Sequence, residues 1–340
     1  MSEPTLNGAG PLLETRRLTR HFQIGGALSR RTLHAVDDVD LSIGRREIVA
    51  LVGESGSGKS TVARLLAMVY RPTSGDILFE GRSIATLNGR SDVLGYRRAV
   101  PMVFQDPFSS LNPAYPVSHG LLRTLALHRP DLHRSDRRSV AAGVLDQVGL
   151  VPGEAMLDRF PHELSGGQRQ RVGFAQALAM RPKLIVADEP VSMLDVSIRI
   201  GLLNLMAKLR AEADVSFLYI THDIASARYL SDRIAVMYAG HIVEVGPTEQ
   251  VLADPRHPYT QLLLDAVPDP RAPLGIHSSD IGEPPRVVDP EPGCRFRWRC
   301  PLAIDDCARI DPEPAEVRTG QHVACIVAQR AVAEGERAST

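Results

Sequence analysis

The sequence predicts an α/β fold: a mostly parallel sheet covered by helices on both faces. Three observations carry that expectation. Apolar segments of strand length recur at residues 35–52 (AVDDVDLSIGRREIVALV), 76–81 (DILFEG), 183–190 (KLIVADEP), 216–223 (SFLYITHD) and 233–240 (RIAVMYAG). Helix-like stretches stand between several of them, such as STVARLLAMVY and VSIRIGLLNLMAKLRAEA. Parallel strands need such crossovers, and an alternating order of strands and helices supplies them. Third, a G-x-x-x-x-G-K-[ST] motif sits where one strand hands over to a helix.

Residues 35–52 read as strand, turn, strand, and the second strand is the buried apolar run EIVALV. The motif GESGSGKST follows directly, as Gly53, Glu54, Ser55, Gly56, Ser57, Gly58, Lys59, Ser60 and Thr61. Its glycines let the backbone curl so that N–H groups point inward at phosphate oxygens, and the next helix adds its positive end. Lys59 can reach the β- and γ-phosphates of a nucleotide such as ATP, and the Ser60 hydroxyl can ligate Mg²⁺. A chance Gly/Ser-rich turn would lack this strand-then-helix context.

The middle of the chain, about residues 106–180, lacks strand patterns and reads as loops and helices. Its basic run at 123–138, RTLALHRPDLHRSDRR, reads as the solvated surface of a helical subdomain. Beyond residue 250 the composition shifts. The stretch VPDPRAPLGIHSSDIGEPPRVVDPEPG is rich in Pro, Gly and Asp and reads as a linker or irregular subdomain. No internal repeat is found.

Composition narrows the function. The chain has 340 residues, 44% hydrophobic and 23% charged, enough for one large domain or two with real cores. A formal net charge of -1 argues against a nucleic-acid partner. No apolar run approaches the roughly 18 residues that would cross a bilayer. The first residues, MSEPTLNGAGPLLETRR, lack an apolar signal segment. A soluble, cytoplasmic chain is expected, with other subunits providing any membrane span.

Other segments agree with the phosphate motif. LIVADE is an apolar strand ending in Asp188, placed to hold Mg²⁺, and Glu189, the candidate to orient or activate a water. His222 ends another apolar strand and could donate to the γ-phosphate. Gln105, in VFQDP, could touch the metal and move when the nucleotide changes. FPHELSGGQRQRV, residues 160–172, carries no nucleophile or base of its own. Its Ser165, Gly166, Gly167 and Gln168 open a helix, and a helix N-terminus binds anions. An ordinary Gly-Gly N-cap would look the same in isolation. With one cradle already formed by residues 53–61, a second implies ATP held between two chains.

At this point the chain resembles the nucleotide-binding subunits of ABC transporters. The resemblance rests on GESGSGKST, VFQDP, LSGGQ, LIVADEP, SMLD and THD, in that order, over about residues 12–250. It implies a P-loop NTPase (RecA-like) core with an antiparallel β subdomain and an α-helical subdomain. It implies that residues 53–61 bind phosphates, that Gln105 senses the metal and the membrane subunits, and that residues 165–168 face the partner's ATP. It further implies Asp188 on Mg²⁺, Glu189 as the catalytic acid, Asp195 in the dimer-contact loop and His222 as the switch histidine. An aromatic near the N-terminus stacks on adenine in this family; Phe22 sits at the matching place, with His21 a rival.

QDPFSSLNP at 105–113, HPYTQLLL at 257–264 and the tail GCRFRWRCPLAIDDC resemble the peptide and nickel importer branch. Such importers pair two ATPase subunits with two transmembrane permease subunits and an extracytoplasmic substrate-binding protein. The resemblance therefore implies a paralogous ATPase partner and a peripheral place on the cytoplasmic side of the inner (plasma) membrane. Peptides are the first expectation for cargo, and oligosaccharides or nickel use similar ATPases. Met193 stands where Ala is usual, and Gln176 where the family mostly carries Arg. A soluble ABC ATPase of DNA repair or translation would show paired units or coiled-coil insertions. A GTPase would show N-K-x-D.

The tail, within an extension drawn at 251–340, holds all four cysteines: Cys294, Cys300, Cys307 and Cys325. In a reducing compartment disulfides are disfavoured. Four thiolates then suggest a [4Fe–4S] cluster or structural Zn²⁺. The gaps of five, six and seventeen residues contain no close zinc knuckle, and the branch's cluster-bearing tails favour iron–sulfur. Zinc or unmetallated thiols remain alternatives. Arg295, Arg297 and Arg299 could offset thiolate charge. Trp298 is expected to pack locally within the tail.

Overall fold

A computed structural model of the chain describes residues 10–26, 31–106, 111–266 and 287–338. The strands are β1 (Leu13–Ile24), β2 (Arg31–Ile43), β3 (Ile48–Val52), β4 (Ser74–Phe79), β5 (Arg82–Ser83), β6 (Met102–Val103), β7 (Leu184–Asp188), β8 (Ser216–Thr221), β9 (Arg233–Tyr238), β10 (His241–Pro247), β11 (Ala315–Arg318) and β12 (Gln321–Val323). The helices used below are α1 (Lys59–Leu66), α2 (Arg90–Ala99), α3 (Val117–His128), α4 (Arg137–Gln147), α5 (Gly153–Leu157), α6 (Gly166–Ala179), α7 (Val196–Ala213), α8 (Ile224–Leu230), α9 (Thr248–Ala253), α10 (Pro258–Asp265) and α11 (Ile326–Ala338).

Two sheets form. The smaller is antiparallel, in order β2-β1-β4-β5; the larger runs β11-β12-β10-β9-β3-β8-β7-β6. Within the larger, β9, β3, β8, β7 and β6 are parallel. Every residue of β3, β7 and β8 is buried, as parallel strands covered on both faces require. The pleat sorts β3 between two cores. Ile48, Ala50 and Val52 join the core packed by α3–α7, while Val49 and Leu51 join the core beneath α1 and the antiparallel sheet.

The register places the site. Val52 lies opposite Thr221, Asp188 opposite Ile220, and Val103 opposite Ala187. The C-terminal ends of four parallel strands therefore stand in one row, where ligands of open α/β sheets bind.

Strand patterns were read at 76–81, 183–190, 216–223 and 233–240, and β4, β7, β8 and β9 lie there. β1 carries no clean alternation (LETRRLTRHFQI) because its register shifts between Thr15 and Leu18 and again between Leu18 and Arg20. β6 has two residues, too few for a period. The Pro-rich stretch read as a linker lies mostly outside the described residues. Beyond it, β12 pairs with β10, so the tail adds strands to the central sheet. Fully buried Glu244 fastens this edge: its carboxylate accepts from Arg256 N–H (2.8 Å), His257 N–H (3.0 Å) and Gln321 Nε2 (2.8 Å). Trp298 departs from its expected packing. The residue is 78% exposed, with the Arg297 guanidinium 4.8 Å from the ring centroid.

Candidate functional site

Residues 53–61 form the turn between β3 and α1. Gly53 has φ 154° and Gly58 φ 110°. A Cβ on Gly53 would meet Met237 O at 2.1 Å, and one on Gly58 would meet Ala35 O at 2.3 Å. The loop is thus pressed onto β9 and β2 where a side chain has no room. Ser55 and Gly56 at its crest are exposed. The buried Lys59 ammonium rests on the loop's own oxygens, 2.8 Å from Gly53 O and from Glu54 O and 3.4 Å from Ser57 Oγ. Burial lowers its pKa, and Glu189, Asp188 and Glu54 pull it back. It is a cation parked on carbonyls that phosphate oxygens can replace.

Ser60 Oγ donates to Asp188 Oδ1 over 3.1 Å. Burial raises the pKa of Asp188 and the Ser60 bond opposes it. Two oxygens at this separation suit adjacent corners of an Mg²⁺ octahedron with ligands at about 2.1 Å. Glu189 sits in the left-handed region at φ 46°. Its N–H is fixed to Ile220 O (2.9 Å). Its Oε2 lies 3.1 Å from Gln105 Nε2 and 3.3 Å from His222 Nδ1. The structure thus brings Lys59, Ser60, Asp188, Glu189, His222 and Gln105 together at the row of strand ends.

Residues 165–168 open α6. Ser165 N-caps α6: its Oγ accepts from Gln168 N–H (3.2 Å), while Gln168 Oε1 accepts from Ser165 N–H (2.9 Å). This capping box holds the first-turn amides outward. Gly167 lies so close to α7 that a Cβ would meet Ile198 Cγ2 at 2.3 Å. Ser165 is exposed, as is Asp195 ahead of α7. Around Asp195, Met193 is 60% and Val196 69% exposed, an apolar surface that none of the described residues covers.

β1 separates Phe22 from His21. Phe22 packs edge-on against Tyr70, with the Arg20 guanidinium 4.5 Å from its centroid. The His21 ring is engaged elsewhere. Its Nε2 bonds Asp37 and its ring lies 3.8 Å from that of His34. His34 Nδ1 is 2.8 Å from Asp37 Oδ2. These three residues have metal-ligand spacing. Arg295, however, reaches Asp37 from the tail and supplies the positive charge that a metal would bring. Burial alone would raise the Asp37 pKa; bonds from His21, Arg295 and His34 hold it down to about 2. Sequence reading missed this group, since it is assembled by the pairing of β1 with β2 and closed by Arg295, 258 residues from Asp37. It also missed the reach of the tail to residue 54, where Arg299 and Glu54 form a bidentate pair.

Comparison with known proteins decides the family. Residues 36–192 match the family described as ABC transporter, and residues 243–307 match the oligopeptide/dipeptide transporter C-terminal region. The oligopeptide transport ATP-binding protein AppF of Bacillus subtilis is 41% identical over 320 residues, covering 92% of this chain and 96% of AppF. A Brucella ovis protein with the provisional name peptide import ATP-binding protein is 43% identical over 317 residues, 93% of this chain and 98% of its own. The chain belongs to the ABC transporter ATP-binding subunits. It is an ATPase of that family, with a P-loop NTPase fold. Among solved structures, the dimeric ABC transporter cassette MJ0796 superposes with TM-score 0.61 at 28% identity, covering 69% of this chain and 98% of that one. The cbiO1 subunit from Clostridium perfringens, part of the transporter complex cbiONQ, gives TM-score 0.60 at 26% identity, covering 72% and 91%. Among the described residues of this ABC subunit, no helix is long and apolar enough to cross a membrane.

Proposed function

We propose that this chain energises an ABC importer of oligopeptides or dipeptides, from the cytoplasmic face of the inner (plasma) membrane. The observation that carries this is the match to peptide transport subunits over more than nine-tenths of both chains, tail included. Residues 12–250 serve as the cassette and 251–340 as its extension.

ATP lies between residues 53–61 of one cassette and residues 165–168 of a paralogous partner. Lys59 exchanges its loop carbonyls for β- and γ-phosphate oxygens. Ser60 and Asp188, with Gln105 beside them, would hold Mg²⁺, whose charge would offset that of the phosphates. Glu189 takes a proton from the attacking water, and His222 and Gln105 hold its carboxylate in line. Phe22 stacks on adenine, and Asp195 meets the partner across the apolar surface at Met193 and Val196. Closure of the pair and its release after hydrolysis drive two permease subunits fed by an extracytoplasmic binding protein.

We propose that the four thiols hold a [4Fe–4S] cluster. All are unpaired with one another. The Cys294 sulfur accepts from Phe296 N–H, that of Cys300 from Leu302 N–H, and that of Cys325 from Val327 and Ala328 N–H. Burial pushes the Cys294 thiol up to about 11, so thiolates there need a cation. Among the described residues no three of these sulfurs lie within 4.8 Å of one another. Tetrahedral zinc with Zn–S of about 2.3 Å needs about 3.8 Å between sulfurs; a cubane holds its thiolates wider apart. The cluster would anchor the tail.

The test is reconstitution of this chain, its ATPase partner and the permease in lipid discs. A peptide-loaded binding protein should stimulate ATP turnover; indifference to a peptide library overturns the substrate class. Anaerobic purification should give a brown chain. A colourless chain with stoichiometric zinc overturns the cluster.

A further inference from the structure

Glu54, the first variable residue of the phosphate loop, is held at three points, two of them by the extension. Arg299 Nη1 and Nη2 donate to its two carboxylate oxygens over 2.7 and 2.9 Å. Tyr259 Oη, from α10, accepts the Glu54 N–H over 2.8 Å. The third hold is Lys59 on Glu54 O, the contact that nucleotide binding gives up. The Arg299 side chain is 10% exposed and lies 5.6 Å from the Tyr238 ring centroid. Tyr238, Tyr259 and Phe296 pack together beneath it. The Glu54 bond raises the Arg299 pKa, so the guanidinium keeps its charge. A planar fork on a carboxylate fixes direction as well as distance.

The same tail segment grips the other flank of the loop. Arg295 bonds Ala239 O and Asp37. The next residue, Gly240, donates its N–H to Ser57 O over 2.9 Å. Arg295 and Arg299 both lie between Cys294 and Cys300, in a chain of tight turns (Arg297 N to Cys294 O, Cys300 N to Arg297 O).

We infer that Arg299 and Tyr259 are positioning residues for ATP binding, and that the Cys-bearing turn 294–300, which carries Arg299 and packs Phe296 on Tyr259, is the anchor from which they act. The extension sets the curvature of the phosphate loop through Glu54, so the state of this turn and the occupancy of the cradle are coupled. This rests on the reading of residues 53–61 as the nucleotide site.

The test uses the full chain and a fluorescent ATP analogue. Arg299→Ala loses a charge-assisted pair and should weaken nucleotide binding about tenfold. In the assembled transporter KM should rise with kcat held. Arg299→Lys should fall between. Because Arg299 acts through Glu54, adding Arg299→Ala to Glu54→Gln should cost little more than Glu54→Gln alone. Arg330→Ala breaks an exposed pair with Asp306 elsewhere in the extension and should leave affinity unchanged. Coupling is reciprocal, so nucleotide should slow deuterium labelling of the 294–300 backbone amides in the wild type as purified and not in Arg299→Ala. Wild-type affinity in Arg299→Ala, additive losses in the double variant, equal weakening in Arg330→Ala, or labelling indifferent to nucleotide each overturn the inference. A wild-type chain that binds no ATP analogue overturns the nucleotide site itself.

Discussion

Replacing His257 by Asn should remove much of the protein's sensitivity to acid. His257 is 1% exposed and N-caps α10, its Nδ1 accepting the Tyr259 N–H over 3.0 Å. That bond requires the neutral ring. Burial pushes its pKa down to about 3, from an ordinary 6.5. A depressed histidine pKa means that the unfolded chain binds the proton more readily. Stability is therefore full above about pH 6.5 and falls as the pH drops toward 3. At about pH 4.5 the loss from this residue is about 3 kcal/mol, a large part of the 5–15 kcal/mol typical of a folded protein. His241, held down to about 4 by burial and then by Arg295, adds a comparable share. Asn keeps an oxygen to cap the helix but cannot titrate. The assay is thermal unfolding of wild type and His257→Asn at about pH 7.5 and 4.5. The variant should lose stability at neutral pH, where ring packing on Phe296 is gone, yet fall by roughly 4 °C less on acidification. An acid shift equal to that of wild type would refute the assignment of a buried neutral His257.

Two further outcomes test the site. Glu189→Gln should keep nucleotide binding and accumulate closed dimers, with turnover of the assembled complex down by roughly 10²–10⁴; unimpaired turnover removes Glu189 as the base. Ser165→Ala should cost about 1 kcal/mol of stability through the lost cap, visible as a small shift in melting. ATP-dependent dimerisation, followed by light scattering, should fall far more. A dimer unaffected by the change would confine Ser165 to capping.

Much of this was legible in the sequence because the relevant physics is local. A phosphate loop needs its glycines and lysine within nine residues, and β3 and α1 follow from adjacent apolar runs. Asp188, Glu189 and His222 each end an apolar strand, and parallel register does the rest. What stayed hidden depends on long-range pairing. β6 is too short for a period, and β12 is recognisable as a strand only once β10 is beside it. The ties of Arg299 to Glu54 and of Arg295 to Asp37 span 245 and 258 residues, and an Arg in a Cys-rich tail looks first like charge compensation. The choice between Phe22 and His21 likewise rests on the pleat of β1 and the position of Asp37, which no local pattern states.

The separation of 245 residues between Glu54 and Arg299 has a consequence for how the protein is born. A ribosome adding about 5–20 residues per second delivers the clamp roughly 12 to 50 s after the loop it grips. For that interval the nascent chain carries its phosphate loop without the Arg299 hold, so the oldest part of the molecule matures only when nearly the youngest arrives.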